Sequence, residues 1–368
     1  MTTNNPVATG LSHGHPDKTG HVERAVQSAL EKTGVSHANS VLLFLTSDYA
    51  HDPEPAIRAA ARAASCTQVT GATGTGLLTE KEWVIDSSGA AAMVFTGRVR
   101  LGLSQQADPN QLRLCLCTPQ ALSTNWLDEP IKRFGAITSD EFGHGPFVVW
   151  TSGAVAKDEF TEVTINGASA EVAVARGVQV LTAPMQVDEA KGFDVLRIAN
   201  HPALHVLISA LPEAVQKQKP LPLHMVMCGV TFGDTDTAIE EGRFRLDHIV
   251  AANPDLHSVT LSHPLRPGER LFWAMRDRAS AERTMQNAAG ECRKTLGAVP
   301  DFTIMFPCLS RGPMFFGGSD KDLTVVRDSF PDTPIIGFYG NGEIAPLGEN
   351  SHLHQYSTVL AAFRCHDA

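Results

Sequence analysis

Several features that would assign a function class are missing from this sequence of 368 residues. No run approaches the roughly 18 consecutive apolar residues of a membrane-spanning helix, and residues 1–15 are polar, without the apolar core of a secretory signal. The seven cysteines include no Cys-x-x-Cys pair. We therefore expect a cytoplasmic protein with reduced thiols and no membrane partner.

Nucleic acid and nucleotide binding also lack support. The chain has 30 basic and 40 acidic residues, for a formal net charge of −10, whereas binding to a phosphate backbone begins with a basic surface. The glycine-rich segments have the order Gly-x-x-Gly-x-Gly, which differs from the Gly-x-Gly-x-x-Gly of dinucleotide-binding proteins, and no Gly-Lys-Ser/Thr follows.

What is present predicts an α+β protein of two domains. The 43% hydrophobic content is enough for a large core. Apolar periodicity predicts a helix over His21–Lys32 that ends at Gly34, and a second helix from Pro55 to Ala64. Residues 1 to about 17 are predicted to be disordered or only loosely held against the rest of the chain. The longest helix is predicted over Ser280–Leu296, with Ser280 as its N-cap and Gly297 at its end.

The two halves of the chain share one pattern. An apolar strand, Val41–Leu45, leads through a helix to Gly71-x-x-Gly74-x-Gly76, and Phe302–Phe306 leads through a helix to Gly337-x-x-Gly340-x-Gly342. The pattern predicts two related mixed α/β domains, with an internal duplication about a pseudo-twofold axis as a further hypothesis. Glycines at strand ends either let backbone N–H groups approach a ligand or make tight turns. We expect a positive φ at Gly340 or Gly342.

The second half carries the most specific motifs. Phe306-Pro-Cys-Leu-Ser-Arg-Gly312 and Ile336-Gly-Phe-Tyr-Gly-Asn-Gly-Glu-Ile344 resemble the C-terminal FIST domain, and so does the closing segment 352–358. The first half, from Leu42 through Gly76, is similar to the N-terminal FIST domain. In the first half Leu77-Leu78 stand where the family commonly has Glu-Ile. The resemblance divides the chain into an N-terminal tail and helix (1–37), a FIST N-like domain (38–205) and a FIST C-like domain (206–368).

The resemblance implies a bacterial-type sensory protein that binds a small molecule such as an amino acid and acts in signal transduction. Because the two domains account for the length, we expect the signal to pass to a separate partner protein. The residues expected to bind the ligand lie at the strand ends and glycine turns: Cys308, Ser310, Arg311, Gly312, Tyr339, Gly340, Asn341, Gly342, Glu343, Gly71, Gly74 and Gly76.

Arg311 and Glu343 are the charged members of this set. A guanidinium can hold a ligand carboxylate with two hydrogen bonds, and Glu343 can accept the ammonium group of the same molecule. The alternative is that the two side chains pair with each other or with the backbone. We expect both to border one cavity.

Other chemistries stay open. The first alternative function is a haem-binding gas (nitric oxide) sensor with His224, His248 or His263 as axial ligand, although no cofactor is predicted from the residues themselves. The second is an enzyme that uses Cys308, Arg311 and Glu343, but a buried structural thiol is favoured for Cys308 and a non-enzymatic role for the protein. His13-x-His15 and His352-x-His354 could each place two metal ligands on one strand face, but no third ligand follows at a recognisable spacing. The oligomeric state is not indicated.

Overall fold

A computed structural model describes residues 5–103, 111–234 and 236–366. The chain forms two compact units, and neither is a continuous half of the sequence. Residues 1–176 and 282–368 form the first unit, and residues 177–281 form the second. The predicted boundary near residue 205 is a different division of the chain and stays a prediction.

The first sheet of the first unit carries the strand predicted over Val41–Leu45. That strand is buried along its whole length at the centre of the sheet, in the strand order β1-β6-β2-β3-β10-β11. The helices α1 (Gly20–Thr33) and α2 (Glu54–Ala64) connect its strands, and Gly34 ends α1 with a φ of 71°. The strands are β1 (Val7–Gly14), β2 (Ser40–Thr46), β3 (Val69–Gly74), β6 (Ser88–Phe95), β10 (Val149–Thr151) and β11 (Ala154–Val155).

The second sheet has the order β13-β26-β22-β23-β4-β5. Three helices precede or connect its strands: α6 (Arg278–Leu296), which begins in the second unit and continues into the first, the short α7 (Pro313–Phe316) and α8 (Lys321–Ser329). The strands are β4 (Gly76–Thr79), β5 (Trp83–Ile85), β13 (Ala168–Arg176), β22 (Phe302–Pro307), β23 (Ile335–Phe338) and β26 (Ser357–Cys365).

The two sheets have matching strand directions. In the first, β2 runs parallel to β3 and antiparallel to β6, and in the second β22 runs parallel to β23 and antiparallel to β26. The registers match as well, because Gly71 lies opposite Leu43 and Gly337 lies opposite Met305. The predicted burial of both central strands is confirmed. A common origin of the two halves by duplication stays a prediction.

A third sheet, in the order β25-β24-β9-β8-β12-β7, completes the first unit. The apolar core among the three sheets contains Phe44, Phe306 and Phe338, whose rings meet edge to face with centroids 4.9–5.9 Å apart. Each buried phenylalanine contributes about 1.5–3 kcal/mol. Its strands are β7 (Arg100–Leu103), β8 (Arg113–Cys117), β9 (Arg133–Ile137), β12 (Phe160–Asn166), β24 (Glu343–Leu347) and β25 (Asn350–His354). The short helix α3 (Thr124–Leu127) comes between β8 and β9 in the chain.

The second unit is a closed antiparallel barrel. The strands β21 (Arg270–Arg276), β15 (Met185–Lys191), β16 (Asp194–Ile198), β20 (Ser258–Leu261), β19 (Phe244–Asn253) and β18 (Val226–Thr231) follow one another, and β18 pairs with β21 to close the ring. Closure leaves no free edge in the ring, and the interior is filled by apolar side chains such as Trp273. The remaining elements are β14 (Val178–Val180), β17 (His201–Pro202), α4 (Ala203–Ala210) and α5 (Glu213–Gln216).

Two local predictions were wrong. The N-terminal segment is not disordered over its described part, because β1 pairs along its length with β6 and Val7 is fully buried. Ser280 is not the N-cap of α6. The helix begins at Arg278, and the Asp277 carboxylate accepts a hydrogen bond from the Ser280 backbone N–H at 2.7 Å, so Asp277 has the capping role. Gly297, with a φ of 69°, lies directly after the helix as predicted.

Candidate functional site

The glycines of the first half are required by close packing. A Cβ atom on Gly71 would lie 1.7 Å from the Leu43 carbonyl oxygen on the neighbouring strand. On Gly74 it would lie 2.6 Å from the Phe338 ring, and on Gly76 it would lie 2.5 Å from the Val84 carbonyl oxygen. Close packing therefore accounts for the glycine at each of these three positions, and no bound ligand is needed to explain them.

The second glycine turn is held by hydrogen bonds to neighbouring strands. The N–H of Gly340 donates to the Pro307 carbonyl at 2.9 Å, and the N–H of Asn341 donates to the Ile137 carbonyl at 3.0 Å. Gly342 has a φ of 123°, which confirms the predicted positive φ. Because the protein itself accepts these N–H groups, the turn does not offer them to a ligand.

Arg311 is buried and pairs with an aspartate that the sequence did not single out. Its Nε and Nη2 donate to the Asp322 carboxylate at 2.7 and 3.0 Å, and Nη1 donates to the Ala175 carbonyl at 2.7 Å. Thr358 also donates to Asp322, at 2.7 Å. The bidentate geometry predicted for a ligand carboxylate is thus used within the protein. A role of Arg311 in ligand binding stays a prediction.

Glu343 is fully buried beside Cys308. The Ser357 hydroxyl donates to its Oε2 at 2.7 Å, and its Oε1 has no hydrogen-bond partner among the described residues. Burial raises the pKa of Glu343 well above its ordinary value, because a charged carboxylate is poorly solvated in the interior. Burial, and then the nearby Glu343, raise the pKa of the Cys308 thiol to about 12. The thiol is therefore protonated, which does not favour the nucleophile expected in the enzyme alternative.

Tyr339 connects the second glycine turn to the start of α8. Its hydroxyl donates to Asp320, whose other carboxylate oxygen accepts the Leu323 N–H at 2.8 Å and so caps the helix. A Cβ on Gly312 would lie 3.2 Å from the Tyr339 ring, a tight contact. Burial, and then the charge of Asp322, raise the pKa of Asp320 to about 6.

The predicted residues of the second half therefore lie close together, and most of them are buried. We call the following set the second-half cluster; within it Ser310 and Asn341 are exposed and the other members are buried. Its members are Cys308, Ser310, Arg311, Asp320, Asp322, Tyr339, Asn341, Glu343, Ser357 and Thr358.

A cavity of about 500 Å³, the first-half cavity, opens where β2 and β3 end. Thr46, the last residue of β2, and Thr75, between Gly74 and Gly76, lie on its wall. Three carboxylates also border it, Asp48, Asp86 and Glu141. Sequence reasoning missed all three because they come from separate segments: the end of β2, the turn before β6 and the connection after β9.

The three carboxylates belong to exposed residues. None of them forms a salt bridge with another residue in the ranges described. Asp48 accepts hydrogen bonds from Thr46 at 2.5 Å and from Ser88 at 2.7 Å. The cavity wall therefore combines hydroxyl groups with negative charge.

The histidines do not form a metal site in the described part of the chain, where no group of three or more metal-ligating side chains is found. His354 is buried, and burial holds its pKa well below the ordinary value. The Nδ1 of His263 lies 2.9 Å from the Asp247 carboxylate, and the His263 side chain is 60% exposed. These polar, exposed surroundings are unlike the apolar slot that a haem face requires. The haem alternative stays a prediction.

Among the described helices, none has both the length and the apolar character needed to cross a membrane. Strands make up 41% and helices 23% of the structure, which contains three sheets and a barrel. The mixed α/β fold class predicted from the sequence is therefore confirmed.

Comparison with known proteins identifies the family. The FIST N domain matches residues 39–201 and the FIST C domain matches residues 203–346, so the chain belongs to the FIST family, as the motifs indicated. An uncharacterized protein of Mycobacterium tuberculosis (strain ATCC 25618 / H37Rv) is 22% identical over 275 residues, which is 73% of this chain and 72% of the relative. An uncharacterized protein of Mycobacterium bovis is 23% identical over 215 residues, 58% of this chain and 54% of the relative. FIST domains are associated with the sensing of small ligands.

Proposed function

We propose that this protein is a sensory protein that binds an amino acid in the first-half cavity and recognises its ammonium group. The observation that carries the proposal is the charge of the cavity wall. Asp48, Asp86 and Glu141 border about 500 Å³ of space without a salt bridge to any residue in the ranges described. A cationic group in the cavity would neutralise part of this charge.

The position of the cavity agrees with this role. In α/β sheets, ligands bind outside the carboxyl ends of parallel strands, where the connections diverge and leave a crevice. β2 and β3 are the parallel pair of the first sheet; Thr46 is the last residue of β2, and Thr75 directly follows β3. The same place in the second sheet is filled by the side chains of the second-half cluster.

The wall also suits the remaining atoms of an amino acid. The hydroxyl of Ser47 borders the cavity and can donate to a ligand carboxylate, while the carboxylates of Asp86 and Glu141 accept from the ammonium group. The cavity volume falls within the range of about 300–1,000 Å³ that is usual for small-molecule sites.

A route for the signal leads from the cavity wall to the second-half cluster. The N–H and the hydroxyl of Thr75 both donate to the Ser139 Oγ at 3.0 Å, and Ser139 donates to the Tyr339 carbonyl. Tyr339 in turn donates to Asp320 at the start of α8. A ligand that shifts Thr75 would thereby act on the cap of a helix in the second half, and a separate partner protein would detect the change.

Calorimetry with a panel of amino acids and matching amines tests the proposal. Asp86→Asn should weaken binding about 2- to 5-fold, because it removes a solvent-exposed charge while Asn tolerates the φ of 63° at this position. Glu213→Gln, at an 88% exposed side chain in the second unit, is the matched control and should bind as the wild type does.

The proposal fails if no ligand with an ammonium group binds, or if Asp86→Asn and Glu141→Gln both bind as tightly as the wild type. Binding of amines without a carboxylate as tightly as amino acids would restrict the ligand class to small amines.

A further inference from the structure

Three buried polar atoms of the third sheet have no hydrogen-bond partner among the described residues. They are the Oε1 of Glu343, the Nε2 of His354 and the Oγ1 of Thr138. The three residues are 0%, 6% and 0% exposed, so bulk solvent does not reach them. Because a buried polar group without a hydrogen bond is unfavourable, three such groups in one sheet call for a common explanation.

The three atoms belong to neighbouring strands. Glu343 on β24 lies directly opposite His354 on β25 and directly opposite Ala136 on β9. Thr138 follows Ala136 by two residues, and its N–H donates to the Cys117 carbonyl at 2.9 Å, so the strand pairing continues past the end of β9. Directly opposite residues share one face of a sheet, and so do residues two apart in a strand. The carboxyl, the imidazole and the hydroxyl therefore lie on one face.

That face is lined by short side chains around Glu343. Ala136, opposite Glu343, and Ala345, two residues further along β24, are fully buried in the apolar core among the three sheets. No large side chain at these two positions separates the carboxyl from its polar neighbours. The Cβ atoms of directly opposite residues are about 4.5–5.5 Å apart. Glu343 and His354 nevertheless do not bond each other through the two atoms in question.

The electrostatics of the three groups favour an uncharged guest. Burial raises the pKa of Glu343, and burial, followed by the charge of Arg176, lowers the pKa of His354. Burial therefore favours the uncharged form of both side chains. An uncharged carboxyl, an uncharged imidazole and a hydroxyl can together both donate and accept hydrogen bonds. A small neutral molecule with donors and acceptors of its own matches this set.

We propose that Glu343, His354 and Thr138 form an internal site for one water molecule, which hydrogen-bonds to the three atoms named above. Internal waters make about three hydrogen bonds, to buried polar groups that lack other partners. The other carboxyl oxygen of Glu343 accepts from Ser357 of β26 at 2.7 Å. The water and the carboxyl together thus join β9, β24 and β25 of the third sheet to a strand of the second.

The site lies beside the hydrogen bonds that connect the two halves. Thr138 directly precedes Ser139, which accepts from Thr75 and donates to the Tyr339 carbonyl. A water bound to Thr138 fixes the strand end from which Ser139 makes these contacts. The inference does not depend on the proposed function, because no ligand of the first-half cavity takes part in it.

A crystal structure of the wild-type protein that resolves ordered water tests the site directly. We expect one peak of density within hydrogen-bond distance, about 2.7–3.2 Å, of the Glu343, His354 and Thr138 atoms. A peak that meets at least two of the three atoms supports the proposal. The absence of such a peak, or a direct hydrogen bond between Glu343 and His354 in its place, overturns it.

A pair of threonine variants tests the same site in solution. Thr138 and Thr303 are both fully buried, and neither hydroxyl has a partner among the described residues. Thr303 lies on β22 opposite Ile335 and Ala362, which have no polar side-chain atoms, so it is the matched control. Thr138→Val should lower the folding equilibrium constant about 3- to 10-fold in urea unfolding, because the water loses a partner. Thr303→Val removes an unbonded hydroxyl and should lower the constant less than about 2-fold or raise it.

His354→Phe shows whether the groups share one water, because it removes the ring nitrogens and keeps an aromatic ring. Changes at a shared water are not additive. The folding equilibrium constant of the double variant with Thr138→Val should exceed the value expected from the two single effects by at least about 3-fold. Additive effects, or equal effects of Thr138→Val and Thr303→Val, overturn the proposal. If His354→Phe is unfolded by circular dichroism, the crystal structure and the threonine pair decide.

Discussion

The two glycine turns end the same arrangement of strands, yet their surroundings are opposite. At the first turn, a cavity of about 500 Å³ is bordered by three carboxylates without salt bridges to described residues. At the second, Arg311 is paired with Asp322, Tyr339 with Asp320 and Ser357 with Glu343, all of them buried. At the second turn most of the polar groups are paired within the protein, Glu343 Oε1 being an exception among the described residues, and at the first turn carboxylates are left to meet a ligand. The difference shows that a repeated backbone pattern does not fix what its ends do.

The first prediction tests whether the parallel strand pairs of the two sheets are packed equally closely. Gly71→Ala and Gly337→Ala should each destabilise the protein by more than about 5 kcal/mol or prevent folding, because the new Cβ would lie 1.7 or 1.8 Å from a backbone carbonyl oxygen. Urea unfolding measures the effect. The control is Gly290→Ala in α6, which meets nothing within 4 Å and should stabilise the protein by about 0.5–1 kcal/mol. Tolerance of Ala at only one of the two strand positions would break the structural equivalence.

The second prediction concerns the closed interior of the second-half cluster. Asp322→Asn should cost about 3–5 kcal/mol, because it removes the negative charge of the buried carboxylate that the Arg311 guanidinium contacts through two nitrogens. The exposed pair of Arg58 and Glu54 is the matched control, and Glu54→Gln should cost less than about 1 kcal/mol. If the two variants lose equal stability in urea, the second-half cluster is not the closed interior described above.

The sequence predicted the structure best where a single segment is enough to determine a strand or the end of a helix. The buried runs Val41–Leu45 and Phe302–Phe306 were predicted as central strands because an unbroken apolar run of this length has few alternatives. Helix ends at Gly34 and Gly297 followed from the left-handed conformation that glycine adopts readily. β1 was missed because polar residues and glycine make up five of its eight residues, and only its pairing with β6 makes it a strand.

The site was harder to predict because its parts come from distant segments. The motif that carries Arg311 gives no sign of Asp322, which belongs to the helix that follows it. Asp48, Asp86 and Glu141 belong to no motif, and the first-half cavity brings them together only after three connections are in place. Charge pairing and cavity formation depend on tertiary geometry, which no spacing in the sequence reports.

The third prediction concerns how the stability contributed by the buried second-half cluster depends on pH. The pKa of Asp320 is about 6 in the folded protein and about 3.9 in an unfolded chain. Because the folded carboxyl binds its proton more tightly, its contribution to stability is full below about pH 4 and is lost as the pH rises through about 6. Relative to Asp320→Asn, the wild type should lose about 2 kcal/mol between pH 4.5 and pH 7.5. Urea unfolding at intermediate pH values gives this difference, and parallel curves for the two proteins would contradict it.

The smallest loss of stability is expected at Gly342, one of the two glycines at which the sequence predicted a positive φ. Gly342→Ala should cost about 1–2 kcal/mol, because a φ of 123° is unfavourable for any residue with a Cβ. Gly348→Ala, at a φ of 70° with nothing within 4 Å, is the control for conformational strain alone. A Cβ added at Gly342 would in addition lie 2.9 Å from a methyl group of Leu353, which can move aside. We therefore expect Gly342→Ala to cost somewhat more than Gly348→Ala in urea unfolding. A Gly342→Ala protein as stable as the wild type would mean that the second glycine turn adjusts its backbone to accept a Cβ. The second turn would then not be the rigid counterpart of the open first turn.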